Sequence, residues 1–170
     1  MSDIWNRRKR SEVMSLIRSR GNRTTEMRLI EIFRSHRITG WRRRQKGIGS
    51  PDFVFRAARL CVFVDGCFWH GCPKHGRRPK QNRKYWDAKI RRNRARDKEV
   101  NSRLRNAGWR SLRIWEHDLS ARKESRLATR IRKQLSSGLP LNYNRQQLSN
   151  TNFSQASASN YSSLTRPKKT

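Results

Sequence analysis

Residues 62–75 read VFVDGCFWHGCPKH. The stretch begins inside an apolar run, LCVFVD at 60–65, whose length and branched and aromatic content fit a buried strand. It then gathers two cysteines, two histidines, a carboxylate and two large aromatics within eleven residues. A metal site, a nuclease active site and an ordinary turn are the competing explanations of that density.

Working outward, two more strand candidates lie upstream, at 41–46 and 52–56. Before them, residues 10–19 form a short basic helix with Val13, Met14 and Ile17 on one side. Thr24 can cap a second helix through about residue 36, with Glu26 in its first turn and Leu29, Ile30 and Phe33 at core spacing. Downstream, a long helix is expected over 82–107, stopped by Gly108, then a strand at 110–115. A last helix near 121–136 aligns Leu127, Ile131 and Leu135. Strands followed by a crossover helix and another strand imply an α/β fold, a mixed sheet flanked by helices.

Charge limits the partners. Lys and Arg total 42 against 12 Asp and Glu, a formal net charge of +30 over 170 residues. A single compact domain so basic repels itself unless a polyanion shares its field, and nucleic acid releases counterions when it does so. A merely soluble basic protein fits this imbalance poorly, and the charge is not confined to one amphipathic helix as on a membrane-surface protein. No run spans a bilayer, no signal peptide is expected, and three cysteines argue against a disulfide framework. The expected location is the cytoplasm, near the nucleoid. From Leu139 onward there is no acidic residue, and SNTNFSQASASNYSS is of low complexity. The expected organisation is a folded domain over 1–138 and a disordered polar tail over 139–170.

Two constellations carry chemistry. On the long helix Trp86, Ile90, Asn93, Asp97, Val100 and Leu104 share one face, and a carboxylate on an apolar stripe needs a metal or a buried Arg. Cys72 and His75 in the loop, with Asp97 and His117, make a four-coordinate set suited to Zn²⁺, while Cys61 and Cys67 read as packing residues. In SPDFVF, 50–55, Asp52 opens a strand. Asp65 ends the next, and His70 follows. Hydrolysis by metal-bound water needs oxygen ligands for Mg²⁺ and a base, which Asp52, Asp65 and His70 can supply. Each of these taken singly is as well explained as a turn or loop residue.

Four ordered blocks, PDFV, VFVDGCFWHGCPKH, YWDAKIRRNRARD and GWRSLRIWEH, resemble the very short patch repair (Vsr) family of DNA mismatch endonucleases, from about Arg10 to Leu119. The resemblance implies a restriction-endonuclease-like fold with a structural zinc site, and a Mg²⁺-dependent nick 5′ of the T in a T:G mismatch. It implies that Asp52 and the Val64 main-chain carbonyl bind Mg²⁺, and that His70 and Glu26 are active-site residues. Cys72, His75, Asp97 and His117 fall on or near the family's zinc ligands. Phe68, Trp69 and Trp86 match aromatics that wedge into the duplex, and Met14 a residue entering from the other groove. Lys89 and Asn93 match residues that read the mismatched bases. A wobble pair unstacks more easily than a normal step, so a wedge costs least there. Asp65 stands where better-known members have a histidine, and the loop ligands are spaced differently. The implied partner is double-stranded DNA, engaged by a monomer, with a cytosine methyltransferase and mismatch-repair proteins linked to the family. A zinc-stabilised DNA-binding domain that does not cut, or a restriction-like or mobile-element nuclease with another target, are the alternatives.

Overall fold

The computed structural model describes residues 23–43, 45–76, 79 and 81–137. The basic helix expected over 10–19, with Met14, and the tail from 139 onward lie outside the described residues.

A π-helical turn, Arg23–Met27, runs into α1, Arg28–Ser35. Three short strands follow: β1, Trp41–Arg43; β2, Phe53–Phe55; and β3, Leu60–Asp65. Helix α2 spans Arg83–Asn106 and leads to β4, Arg110–Trp115. Two 3₁₀ turns, Glu116–Leu119 and Ala121–Lys123, precede α3, Glu124–Ser136. The sheet order is β1-β2-β3-β4; β1, β2 and β3 pair antiparallel, and β4 joins β3 in parallel. A parallel neighbour requires a crossover, which α2 supplies. The expected mixed α/β sheet is present, with β1 shorter than the sequence suggested and the last helix begun by a 3₁₀ turn.

Strand alternation decides what each face carries. Phe53, Phe55, Leu60, Val62, Leu112 and Ile114 pack against α1 and α3. The alternate residues Val54, Cys61 and Phe63 face Val100 and Leu104 of α2, together with Trp109. By the same parity, Asp52, Asp65 and Arg113 belong to the α2 side, where β2 to β4 leave the core. The end of α2 is fixed by its sequence. Gly108 takes φ +73, and the Gly108 and Trp109 amides donate to the Arg105 and Leu104 carbonyls at 3.0 and 2.8 Å. This paired closure turns the chain directly into β4 and tucks Trp109 under the helix.

Candidate active site

A cavity of 370 Å³ opens where β3 ends against α2, lined among others by Asp52, Asp65, Trp69, His70, Asp97 and Arg113. Each lining group comes from a different local rule. Asp52 sits just before β2 after Pro51, and one of its oxygens accepts the Val64 N–H at 2.7 Å. In a pleated strand the N–H and C=O of one residue point to the same edge, so the Val64 carbonyl also faces the Asp52 side. Burial, reinforced by the nearby charges of Glu26 and Asp65, pushes the Asp52 carboxyl up to about 6 against the Val64 hydrogen bond and Arg113. A desolvated carboxylate among other carboxylates, beside a main-chain carbonyl, is a hard oxygen donor set that suits a small divalent cation.

His70 lies in the turn that leaves β3. Its Nδ1 is 2.6 Å from an Asp97 oxygen and 3.8 Å from Asp65. Arg113 Nη2 donates to the other Asp97 oxygen at 2.7 Å. An ionised carboxylate only accepts, so Nδ1 carries a proton toward Asp97. Asp65 is engaged differently. Arg113 donates to both its oxygens, Nε at 2.6 Å and Nη2 at 2.7 Å, and the guanidinium lies 4.9 Å from the Phe63 ring. With 4 % exposure, Asp65 has its charge spent on Arg113, which leaves little capacity for a base or metal-ligand role. Glu26 is buried outside the cavity lining and accepts from Arg43 Nε at 2.6 Å. It reaches the site through its charge.

The metal-ligating set differs from the expected one. Cys67, Cys72, His75 and His117 bring one ligand atom each within 4.8 Å of one another. Asp97 is absent from this group because its two oxygens are taken by His70 and Arg113, and Cys67 occupies the fourth corner. Cys67 Sγ and Cys72 Sγ stand 3.2 and 3.6 Å from His117 Nδ1, and Cys72 Sγ stands 4.0 Å from His75 Nδ1. Tetrahedral zinc bonds of about 2.3 Å to sulfur and 2.0 Å to nitrogen require ligand edges of roughly 3.3–3.8 Å. The donor set therefore fits Zn²⁺. His117 Nε2 lies 3.3 Å from Asp118, the carboxylate backing that fixes a ligating imidazole. Burial lowers the His117 pKa, which favours the neutral ring a metal needs. Sequence spacing held the missed signal: Cys67-x4-Cys72-x2-His75 is a ligand run in one loop.

Beyond the cavity rim, Phe68, Trp69 and Trp86 form a ring cluster with centroids 5.0 to 6.0 Å apart. Trp86 is only 8 % exposed and packs as a core residue, whereas Tyr85, which the sequence reading passed over, is 53 % exposed against it. Lys89 Nζ sits 6.0 Å from the Trp69 ring and 5.9 Å from the Tyr85 ring. Asn93 Nδ2 donates to the Trp69 carbonyl at 2.8 Å and pins the loop to α2. Gly71, at φ +63, allows that approach, since a Cβ there would lie 2.7 Å from Ile90 Cγ2. Arg96 also lines the cavity and is exposed, and it lies in the YWDAKIRRNRARD block, where no role was assigned to it.

Comparison with known proteins fits this arrangement. The family model described as DNA mismatch endonuclease Vsr matches residues 2–75. Type II nicking enzyme V.NaeI of Lentzea aerocolonigenes is 60% identical over 68 residues, 40% of this chain and 41% of that protein. Across it and two similar nicking enzymes the match spans 41% to 54% of their length. Longer matches exist. Type II nicking enzyme V.NmeAIP of Neisseria meningitidis is 35% identical over 122 residues, 70% of this chain and 85% of that protein. DNA mismatch endonuclease Vsr of Escherichia coli is 32% identical over 125 residues, 73% of this chain and 80% of that protein. The chain belongs to the Vsr family of DNA endonucleases.

Proposed function

We propose that this protein is a Mg²⁺-dependent endonuclease with a restriction-endonuclease-like fold that nicks one DNA strand 5′ of the T in a T:G mismatch. The observation that carries the reading is one cavity holding a desolvated Asp52 and an Asp97-oriented His70, edged by aromatics and cations. A passive binder gains nothing from buried carboxylates facing phosphate. The printed names of V.NaeI and V.NmeAIP, type II nicking enzymes, favour a nick in one strand.

The chain's residues divide the work. A divalent cation held by Asp52 and the Val64 carbonyl would offset the charge that builds on the phosphodiester oxygens. His70 Nε2 takes the proton of the attacking water as its oxygen bonds to phosphorus and the bond from phosphorus to the departing deoxyribose oxygen breaks, that oxygen taking a proton from solvent, and Asp97 steadies the imidazolium that results. Arg113 holds Asp97 in place. Arg96 offers its guanidinium to the phosphate. Trp69 and Phe68, with Lys89 and Tyr85 above them, form a ledge on which an unstacked base can rest, and Asn93 keeps the ledge in register with the cavity. Zn²⁺ in the Cys67, Cys72, His75 and His117 knot would tie the loop carrying Trp69 and His70 to the end of β4. A monomer suffices, because a T:G pair is asymmetric and one nick needs one active site.

Relaxation of a supercoiled plasmid carrying a single T:G mismatch tests the cutting. The full chain with Mg²⁺ should yield open-circular rather than linear DNA, and Asp52→Ala should yield none while still binding. Cutting by Asp52→Ala, or none by the full chain, would refute the assignment.

A further inference from the structure

A second cavity, of 380 Å³, is lined by Lys74, Asp118, Lys123, Arg126, Leu127 and Arg130. Four cations from three separate segments converge on it: the loop after β3, the second 3₁₀ turn and α3. Leu127, 3 % exposed, belongs to the core beneath. Asp118 is the single acid in the lining, and it is already shared, 3.0 Å from Lys123 Nζ and 3.3 Å from His117 Nε2. Its charge therefore cannot balance Lys74, Arg126 and Arg130. Arg130 is anchored by donating from Nη2 to the Arg113 carbonyl at 3.1 Å, on the open edge of β4, and a guanidinium has five donors to offer. Converging cations around a concave, partly apolar floor bind a compact oxyanion better than a flat basic surface does.

We infer that this cavity holds a backbone phosphate of the DNA duplex, at a distance from the cut. The inference rests on the endonuclease reading for its occupant, but the pocket stands on its own residues. Position favours a phosphodiester of the same duplex. His70 lines the first cavity and Lys74 the second, four residues along one loop, a span of at most about 14 Å. That is roughly four steps of a strand rising 3.4 Å each. The knot lies between them, since His117 and Asp118 are adjacent and Cys72 and His75 flank Lys74. A phosphate seated beside Asp118 is thus fixed relative to the loop that carries His70, and the contact sets the register of the duplex over the active site.

Two measurements on the full chain test this. Duplex affinity would be followed against salt for the native sequence and for Lys74→Gln/Arg126→Gln. Side-chain NMR of Arg126 and Arg130 would be followed during titration with inorganic phosphate. The expected result is a salt slope shallower by about 0.9 in the variant, the change for one lost phosphate contact. Phosphate should shift both arginine signals in the native chain and leave Arg130, the pocket arginine that remains in the variant, unshifted. An unchanged salt slope overturns the duplex assignment, and phosphate shifts without it mark a site for free phosphate instead. Absence of arginine shifts overturns the pocket itself. Failure of the native chain to bind or nick any duplex refutes the endonuclease reading, and the phosphate titration still judges the pocket.

Discussion

His70 Nδ1 lies 2.6 Å from an Asp97 oxygen, although the two residues come from a loop and from the middle of a long helix. Only the stacking of α2 on the sheet brings them together, and the contact fixes which imidazole nitrogen faces the cavity. Asp97→Asn should therefore lower single-turnover nicking by roughly 10²-fold with duplex affinity unchanged, and His70→Ala by at least as much. Rapid-quench kinetics at saturating duplex checks both. An Asp97→Asn rate equal to native would place Asp97 outside the chemistry.

Arg113 joins Asp65 to Asp97. Arg113→Met leaves Asp65 buried without its cation and should cost about 3–5 kcal/mol of stability. Asp65→Leu/Arg113→Met should recover much of that loss, because two apolar groups replace an ion pair. Urea unfolding of the three chains measures the difference, and the same double variant should still nick, more slowly, if Asp65 acts only through Arg113.

Asp52 titrates near 6 because it is buried. With its folded pKa above the unfolded value, the metal-free native state binds more protons than the unfolded chain between about pH 4 and 6, and stability falls as pH rises through that window. Asp52→Asn should flatten this part of the stability profile, since the amide oxygen can still accept the Val64 N–H. Apparent Mg²⁺ affinity should increase with pH up to about 6 and then level. Calorimetric titration at several pH values reads it directly.

The three cysteines should behave unequally. Cys67→Ser and Cys72→Ala should each release the bound metal, counted by native mass spectrometry, and lower the melting temperature. Cys61, whose thiol burial pushes up to about 12, lies in β3 away from the knot. Cys61→Ala should keep the full metal content and lose stability only through packing, by about 1 kcal/mol.

Much of this was legible in the residues. The apolar run LCVFVD and the alternation in RSLRIW marked two strands to the residue, and the stripe from Trp86 to Leu104 named the buried face of α2. The stripe also marked Asp97 and Asn93 as polar groups needing partners, with two outcomes open for Asp97, a metal or an arginine. The arginine was the one realised. Nothing in the sequence singles out Arg113, because only the tertiary approach of α2 reveals that it points between two carboxylates. Cys67 reads as a packing residue in the sequence. Its thiol turns to His117, 50 residues on, and no local pattern announces a contact of that separation. Trp86 matches a wedge aromatic by resemblance, and in the structure it is 8 % exposed and packs against Phe68 and Trp69.

The central claim is mismatch-directed nicking, and end-labelled duplexes carrying a single T:G, T:A or C:G pair test it most directly. With Mg²⁺, the account predicts one product from the T strand of the T:G duplex, cut on the 5′ side of that T, none from the paired duplexes, and none without the metal. Equal cutting of all three duplexes, or cutting of the G strand, would contradict it.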